Sequence, residues 1–373
     1  MNKDLLTPGE RLVRCLAGED VDRVPFGVGI GWGLWGETME RWQRESGQPD
    51  LNVAEALGYE PGFANPAIES GPFPHFEPVV LEKTEDMVVS RDWRGITMRN
   101  RLDGGSMPEF LGYPVKTPND WERLKAERYK LDADAIDKRI AEDWELFRAR
   151  LRKTGEAVQV GAFPWGVFGT ARDLLGAEEL LVAFYTEPDM IKDIMSHLTS
   201  LWLLLWERVA DQVQIDHIHI WEDMSGKQGS LISPDMVETF MMPCYDRIAD
   251  FAKARGVRLI SVDTDGDCQE LVPVMMRHGV NTFFPFEVQA GNDIREYRRQ
   301  YPNLGILGGL DKNALARDKA AIDIEIEKAR WMLENGGRYI PGFDHLIPPD
   351  ASWENFRYAA ENLRELCFTT EPV

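Results

Sequence analysis

The chain is poor in positive charge, in cysteine and in long apolar runs. Lys and Arg total 42 against 63 Asp and Glu, giving a net charge of −21 over 373 residues. So acidic a body repels phosphate backbones and anionic headgroups, which sets aside nucleic acid and membrane surfaces as partners. The four cysteines (Cys15, Cys244, Cys268, Cys367) form no CxxC pair. With no signal-peptide pattern over Met1–Leu16, this argues for a reducing, cytoplasmic setting. The most apolar run, Leu198–Trp206, is too short to span a bilayer. There is no GxSxG elbow and no phosphate-binding P-loop, so hydrolase and NTPase chemistry gain no support. Neither a Gly/Ser linker nor a repeat of fixed period interrupts the chain, and one domain over residues 1–373 is the simplest expectation.

At 43% hydrophobic, the chain has ample material for a core. Short β-branched runs alternate with helical patterns from about residue 155 onward. The runs are Ala157–Phe163, Ile215–Trp221, Val257–Val262, Thr282–Phe286, Leu304–Leu307 and Arg338–Ile340. Pro234–Arg255 predicts a helix with Ser233 as cap and Gly256 as stop. Arg23–Ile30 reads as an earlier strand, Thr38–Glu45 as the start of a helix, and residues 78–101 as an antiparallel hairpin excursion. Strand–helix alternation implies parallel strands, and we expect an α/β TIM-type (β/α)8 barrel with an N-terminal β-hairpin excursion.

Carboxylates gather at the carboxyl ends of the expected strands: Glu222 and Asp223, Asp263 and Asp265, Glu287, Asp311, then Asp344 beside His345. A barrel brings those ends together on one face, where an active site is built. Taken singly, each also fits a turn or cap aspartate. Glu222 and Asp223 are adjacent, so by the period of two at most one faces a pocket directly. His217 and His219 read as packing residues. Asp263-Thr264-Asp265-Gly266-Asp267 resembles a calcium loop, but its twelfth position is Val274 where an EF-hand needs Glu. A divalent ion held by carboxylates and an imidazole from separate strand ends is chemically reasonable; hydrogen-bonded turn aspartates are the competing explanation. Gly31–Gly36 fits GxGxxG, yet two indoles fill a loop that should be small and open. A pocket wall suits it better than a nucleotide site. Trp32 and Trp35, with Phe163 and Trp165 at the end of the Ala157 run, are the candidate substrate-binding aromatics.

Glu10-Arg11, Asp22-Arg23-Val24-Pro25, Leu231–Asp235, Gly308–Asp311, Ile347–Asp350 and Glu354-Asn355 together resemble the uroporphyrinogen decarboxylase superfamily. That superfamily holds the decarboxylase itself and methyltransferases that work with corrinoid proteins, and its fold is a TIM-type barrel. The decarboxylases carry an early RQAGR segment that grips substrate carboxylates. Here the corresponding stretch, Gly29–Glu37, has no arginine, so the resemblance is closer to the methyltransferase branch.

In that branch an H-x-C pair and a later Cys bind zinc. The resemblance carries these positions onto Asp263, Asp265 and His345, exchanging sulfur for oxygen and nitrogen donors. It thereby implies a divalent metal, zinc or a harder ion, that polarises the oxygen of a methyl donor. Glu222 and Asp263 are the candidate catalytic carboxylates. Cobalamin would be supplied by a separate corrinoid protein, since no corrinoid module is evident in the chain. The expected activity is methyl transfer from a small donor, with an aromatic O-methyl ether as the candidate, by a homodimer. A cofactor-free decarboxylase of a small acid is the alternative. A non-catalytic binding barrel is disfavoured by the number of costly carboxylates.

Overall fold

A computed structural model describes residues 5–27, 33–102 and 107–370. Its strands are β1 (Phe63–Ala64), β2 (Val79–Lys83), β3 (Met87–Arg91), β4 (Thr97–Arg101), β5 (Glu109–Gly112), β6 (Ala157–Gly161), β7 (His217–Trp221), β8 (Ser225–Gly226), β9 (Gly229–Ser230), β10 (Leu259–Thr264), β11 (Thr282–Pro285), β12 (Gly305–Leu307) and β13 (Tyr339–Ile340). Seven of them form one parallel sheet in the order β1-β6-β7-β10-β11-β12-β13. The sheet curls, with helices returning the chain between its strands, as a TIM-type α/β barrel. The six strand runs read from the sequence correspond to β6, β7, β10, β11, β12 and β13. Arg23–Ile30 does not pair as a strand over residues 23–27, and 28–30 lie outside the described residues. Pro25 has no N–H to offer a ladder, and the Phe26 N–H goes to the Glu60 carboxylate at 2.9 Å.

The helix Pro8–Ala17 closes the amino end of the barrel. Thr7 caps it, Pro8 starts it and Gly18 ends it in the left-handed conformation. Its Leu12, Val13, Cys15 and Leu16 pack on Ala157, Leu259, Leu307 and Ile340. Beside it, buried Arg11 pairs with Asp22 at 2.7 Å and with Glu60 at 2.6 Å, and Glu60 also takes Arg23 at 2.7 Å. Such a buried network is costly to break because each partner removed strands a charge. The early motif residues Arg11, Asp22 and Arg23 therefore hold the fold together.

Two expectations change in detail. The excursion is a four-stranded antiparallel sheet, β2-β3-β4-β5, that runs on from the hairpin to Gly112. The helix read over Pro234–Arg255 is three pieces: a turn Pro234–Met236 capped by Ser233, a π-helical turn Val237–Met241, and the helix Met242–Arg255. Pro243 lacks the N–H that would bond one turn back, and a π turn absorbs the missing bond. Among the described residues no helix is long and apolar enough to cross a membrane.

Candidate functional site

Register brings the site together. β10 pairs with β11 so that Thr264 lies level with Pro285. Asp265 therefore leaves its strand beside Phe286 and Glu287. Glu287 Oε2 accepts from Gly266 N at 3.0 Å, tying the two loops. Gly266 has φ +75°, and a Cβ there would lie 2.6 Å from the backbone of Ser225 and Gly226, so the loop needs glycine. The chain after β13 is pinned by Asp344, which is fully buried and accepts from Val288 N at 2.8 Å and Lys312 N at 3.1 Å. His345 is thus delivered to the same place. Asp265, Glu287 and His345 each offer a ligand atom within 4.8 Å of the others, and all three are half-buried.

The electrostatics are those of crowded acid. His345 Nε2 lies 3.3 Å from Asp265 Oδ2, and that contact, more than any other cause, raises the imidazole pKa. Lys312 reaches Glu287 at 3.5 Å. Asp223 follows β7 with φ +42° and holds Arg172 at 2.7 Å. Its carboxyl is raised, first by burial, and the negative charges of Asp265 and Glu287 also push it up. Two carboxylates and one imidazole form a hard-to-borderline donor set that suits a divalent ion. The cysteines are spent elsewhere: all four are buried, and Cys268 Sγ contacts Tyr297 Oη at 3.4 Å.

The residues expected from sequence divide. Asp265 and His345 meet; Asp263 is not in the trio, and Glu287 stands where it was expected. The end of the strand explains this: Asp263 still belongs to β10, which stops at Thr264, and its carboxylate lies 3.8 Å from His219 Nε2 in the barrel interior, whereas Asp265 stands on the loop beyond. Burial pushes its carboxyl up to about 6. His219 and His217 hydrogen bond to Ser261 Oγ at 2.8 and 2.6 Å, and His219 stacks on Phe284. Both histidines pack, as expected, but they do so inside the barrel and as a polar chain leading to Asp263.

Glu222 is corrected as a catalytic candidate. It is fully buried and accepts from Val167 N at 3.1 Å, Phe168 N at 2.6 Å, Gly169 N at 3.1 Å and Tyr245 Oη at 2.5 Å. Its oxygens are saturated at the amino end of the helix Val167–Leu175, where backbone N–H groups need an acceptor. Asp223 is the member of the pair on which the charge of Asp265 acts.

Of the aromatics, Trp32 lies outside the described residues. Trp35 sits half-buried at the start of the helix Gly36–Ser46. The bond from Ile347 N to Gly33 O at 3.2 Å places that segment beside the His345 loop. Phe163 is 67% exposed and meets Trp221 edge to face at 4.8 Å. Trp165 is used in packing against Trp93 and over Gly71. Sequence reading passed over Trp221 and Arg172, whose guanidinium lies 5.0 Å from the Trp221 ring. Trp221 shares the face of His217 and His219, a signal available in the pattern. Arg172 lies in mid-helix and carried none.

A family model described as Uroporphyrinogen decarboxylase (URO-D) matches residues 84–366. The solved structure of a methyltransferase from Methanosarcina mazei superposes with a TM-score of 0.58 at 16% sequence identity, covering 96% of this chain and 99% of that one. No curated protein sequence matches the chain.

Proposed function

This chain belongs to the uroporphyrinogen decarboxylase family, and we propose that within it the chain is a metal-assisted methyltransferase that passes a methyl group from a small donor to a corrinoid carried on a separate protein. The observation that carries this reading is the convergence of Asp265, Glu287 and His345 from three strand ends, with ligand atoms within 4.8 Å. A divalent ion held there by Asp265, Glu287 and His345 would supply Lewis acidity toward the donor's oxygen. The chain's own groups do the rest. Asp344 and the Gly266 N–H fix the loops that carry the trio. Arg172 and Lys312 balance the local negative charge. Exposed Phe163, set edge to face on Trp221, offers an aromatic wall, which favours an aromatic O-methyl ether as the donor class.

The test is metal content of the purified protein, followed by methylation of cob(I)alamin from a panel of methoxyarenes. About one divalent ion per chain, lost in Asp265→Ala and His345→Ala, together with turnover of at least one methoxyarene, supports the proposal. No stoichiometric ion after incubation with divalent metals, or no methylation across the panel, overturns it. One observation favours a second reading, a cofactor-free decarboxylase of a small acid: Asp263 is buried, with its carboxyl pushed up to about 6, in the range of a proton-handling group. Release of carbon dioxide from small carboxylic acids by metal-free protein would select that reading.

A further inference from the structure

A second concave site lies away from the strand ends, between the antiparallel sheet and the helix Pro118–Arg128. The cavity has a volume of about 300 Å³, at the lower bound of small-molecule pockets. Arg91 from the end of β3, Lys116, and Arg123 and Arg128 from the helix surround it, with Glu127 as its one acidic lining residue. In a chain of net charge −21, four cations around one cavity are against the trend of the molecule.

Their partners leave that charge largely uncompensated. Arg128 donates to the carbonyls of Pro74 and His75 and lies 4.1 Å over the Phe76 ring. Among the described residues, Arg91 donates to the Glu77 carbonyl alone, at 3.5 Å. Arg123 pairs with Asp120 at 2.8 Å. Among the described residues, no carboxylate pairs with Arg91, Lys116 or Arg128. Carbonyls orient a guanidinium without neutralising it, so positive potential persists in the cavity. Phe76 and Tyr113 add aromatic wall.

We propose that this cavity is a binding site for a compact organic polyanion, one bearing two or more phosphate or carboxylate groups. Arg91 and Lys116 supply charge that no carboxylate among the described residues pairs with, and Arg128, braced by Pro74 and His75, is pre-oriented to share an anionic oxygen. None of the lining residues belongs to the Asp265–Glu287–His345 cluster, so the site stands or falls independently of the methyltransferase reading.

The experiment is calorimetric titration of the full chain with inorganic pyrophosphate and, separately, with citrate, at low and at moderate salt. Saturable binding of either anion is expected, and which one binds identifies phosphate or carboxylate as the natural group. Binding should weaken with salt, weaken roughly 10-fold in Arg91→Gln, the loss of about one charge-assisted contact, and weaken further in Lys116→Glu, which also reverses the charge. Thermal melts should show both variants folded; Lys116 is exposed, which makes it the safer of the two. Asp265→Ala should bind as tightly as the parent. Absence of saturable binding by both anions, affinity unchanged in Lys116→Glu, or binding lost in Asp265→Ala overturns the proposal.

Discussion

His345 Nε2 lies 3.3 Å from Asp265 Oδ2 although 80 positions separate them in the chain (345 − 265). The pair is made by two loops that Asp344 and Gly266 tie to the segment carrying Glu287. Asp263, only two residues from Asp265, faces His219 instead.

That geometry separates two neighbouring aspartates by experiment. Glu287→Gln should lose bound divalent metal, with an affinity drop of at least roughly 10-fold. Asp263→Asn should keep it. Metal analysis after dialysis reads the difference, and the opposite pattern would return Asp263 to the ligand set.

Glu222→Ala should act on the fold. It leaves three backbone N–H groups and the Tyr245 hydroxyl without their buried acceptor, a loss of about 3 kcal/mol in urea unfolding. Gly166→Ala should be at least as damaging, since a Cβ there would lie 1.8 Å from Trp221 O. An active, normally stable Glu222→Ala protein would contradict this assignment.

Asp263 makes stability depend on pH in an unusual direction. Its carboxyl rises from an ordinary 3.8 to about 6, mainly through burial. The folded state therefore holds its proton more tightly than the unfolded chain does. Stability is lost as pH rises from about 4 through 6, and the penalty is complete above that. Metal-free Asp263→Asn escapes the penalty. Its melting temperature relative to the parent should climb between pH 4 and pH 7, whereas a flat difference would show that the carboxyl is not held up.

The opposite sign holds at the amino-terminal helix. The Arg258 hydrogen bond, ahead of every other cause, draws Glu10 down from 4.5 to about 2, across a contact of 2.7 Å. Its contribution is full above pH 4.5 and fades as pH falls toward 2. Glu10→Gln should melt below the parent at pH 7, and the gap should narrow below pH 4.5. Both groups are partly exposed, so added salt should shrink the gap as well.

The amino-acid sequence by itself determined the fold class and the face on which chemistry gathers. Buried parallel strands announce themselves as short β-branched runs such as Val257–Val262, and carboxylates at their ends need no contact information to be found. Local pattern also sufficed for the helix stop at Gly256 and the cap at Ser233. It failed where a neighbour far along the chain competes for a group. The Phe26 N–H goes to Glu60. It failed for a local reason at Pro243, whose missing donor a π turn absorbs within the helix read over Pro234–Arg255.

Only the tertiary structure decided which carboxylates meet. Glu222 and Asp223 are equivalent by composition and adjacent in the chain. Four donors converge on the first, so it is consumed by the fold; the second lies where the charges of Asp265 and Glu287 act on it. Asp263 and Glu287 exchange places for a similar reason, because strand register sets the level at which each side chain leaves the barrel wall. Register is a relation between strands, settled by the packing of the whole barrel, and no single segment of sequence contains it.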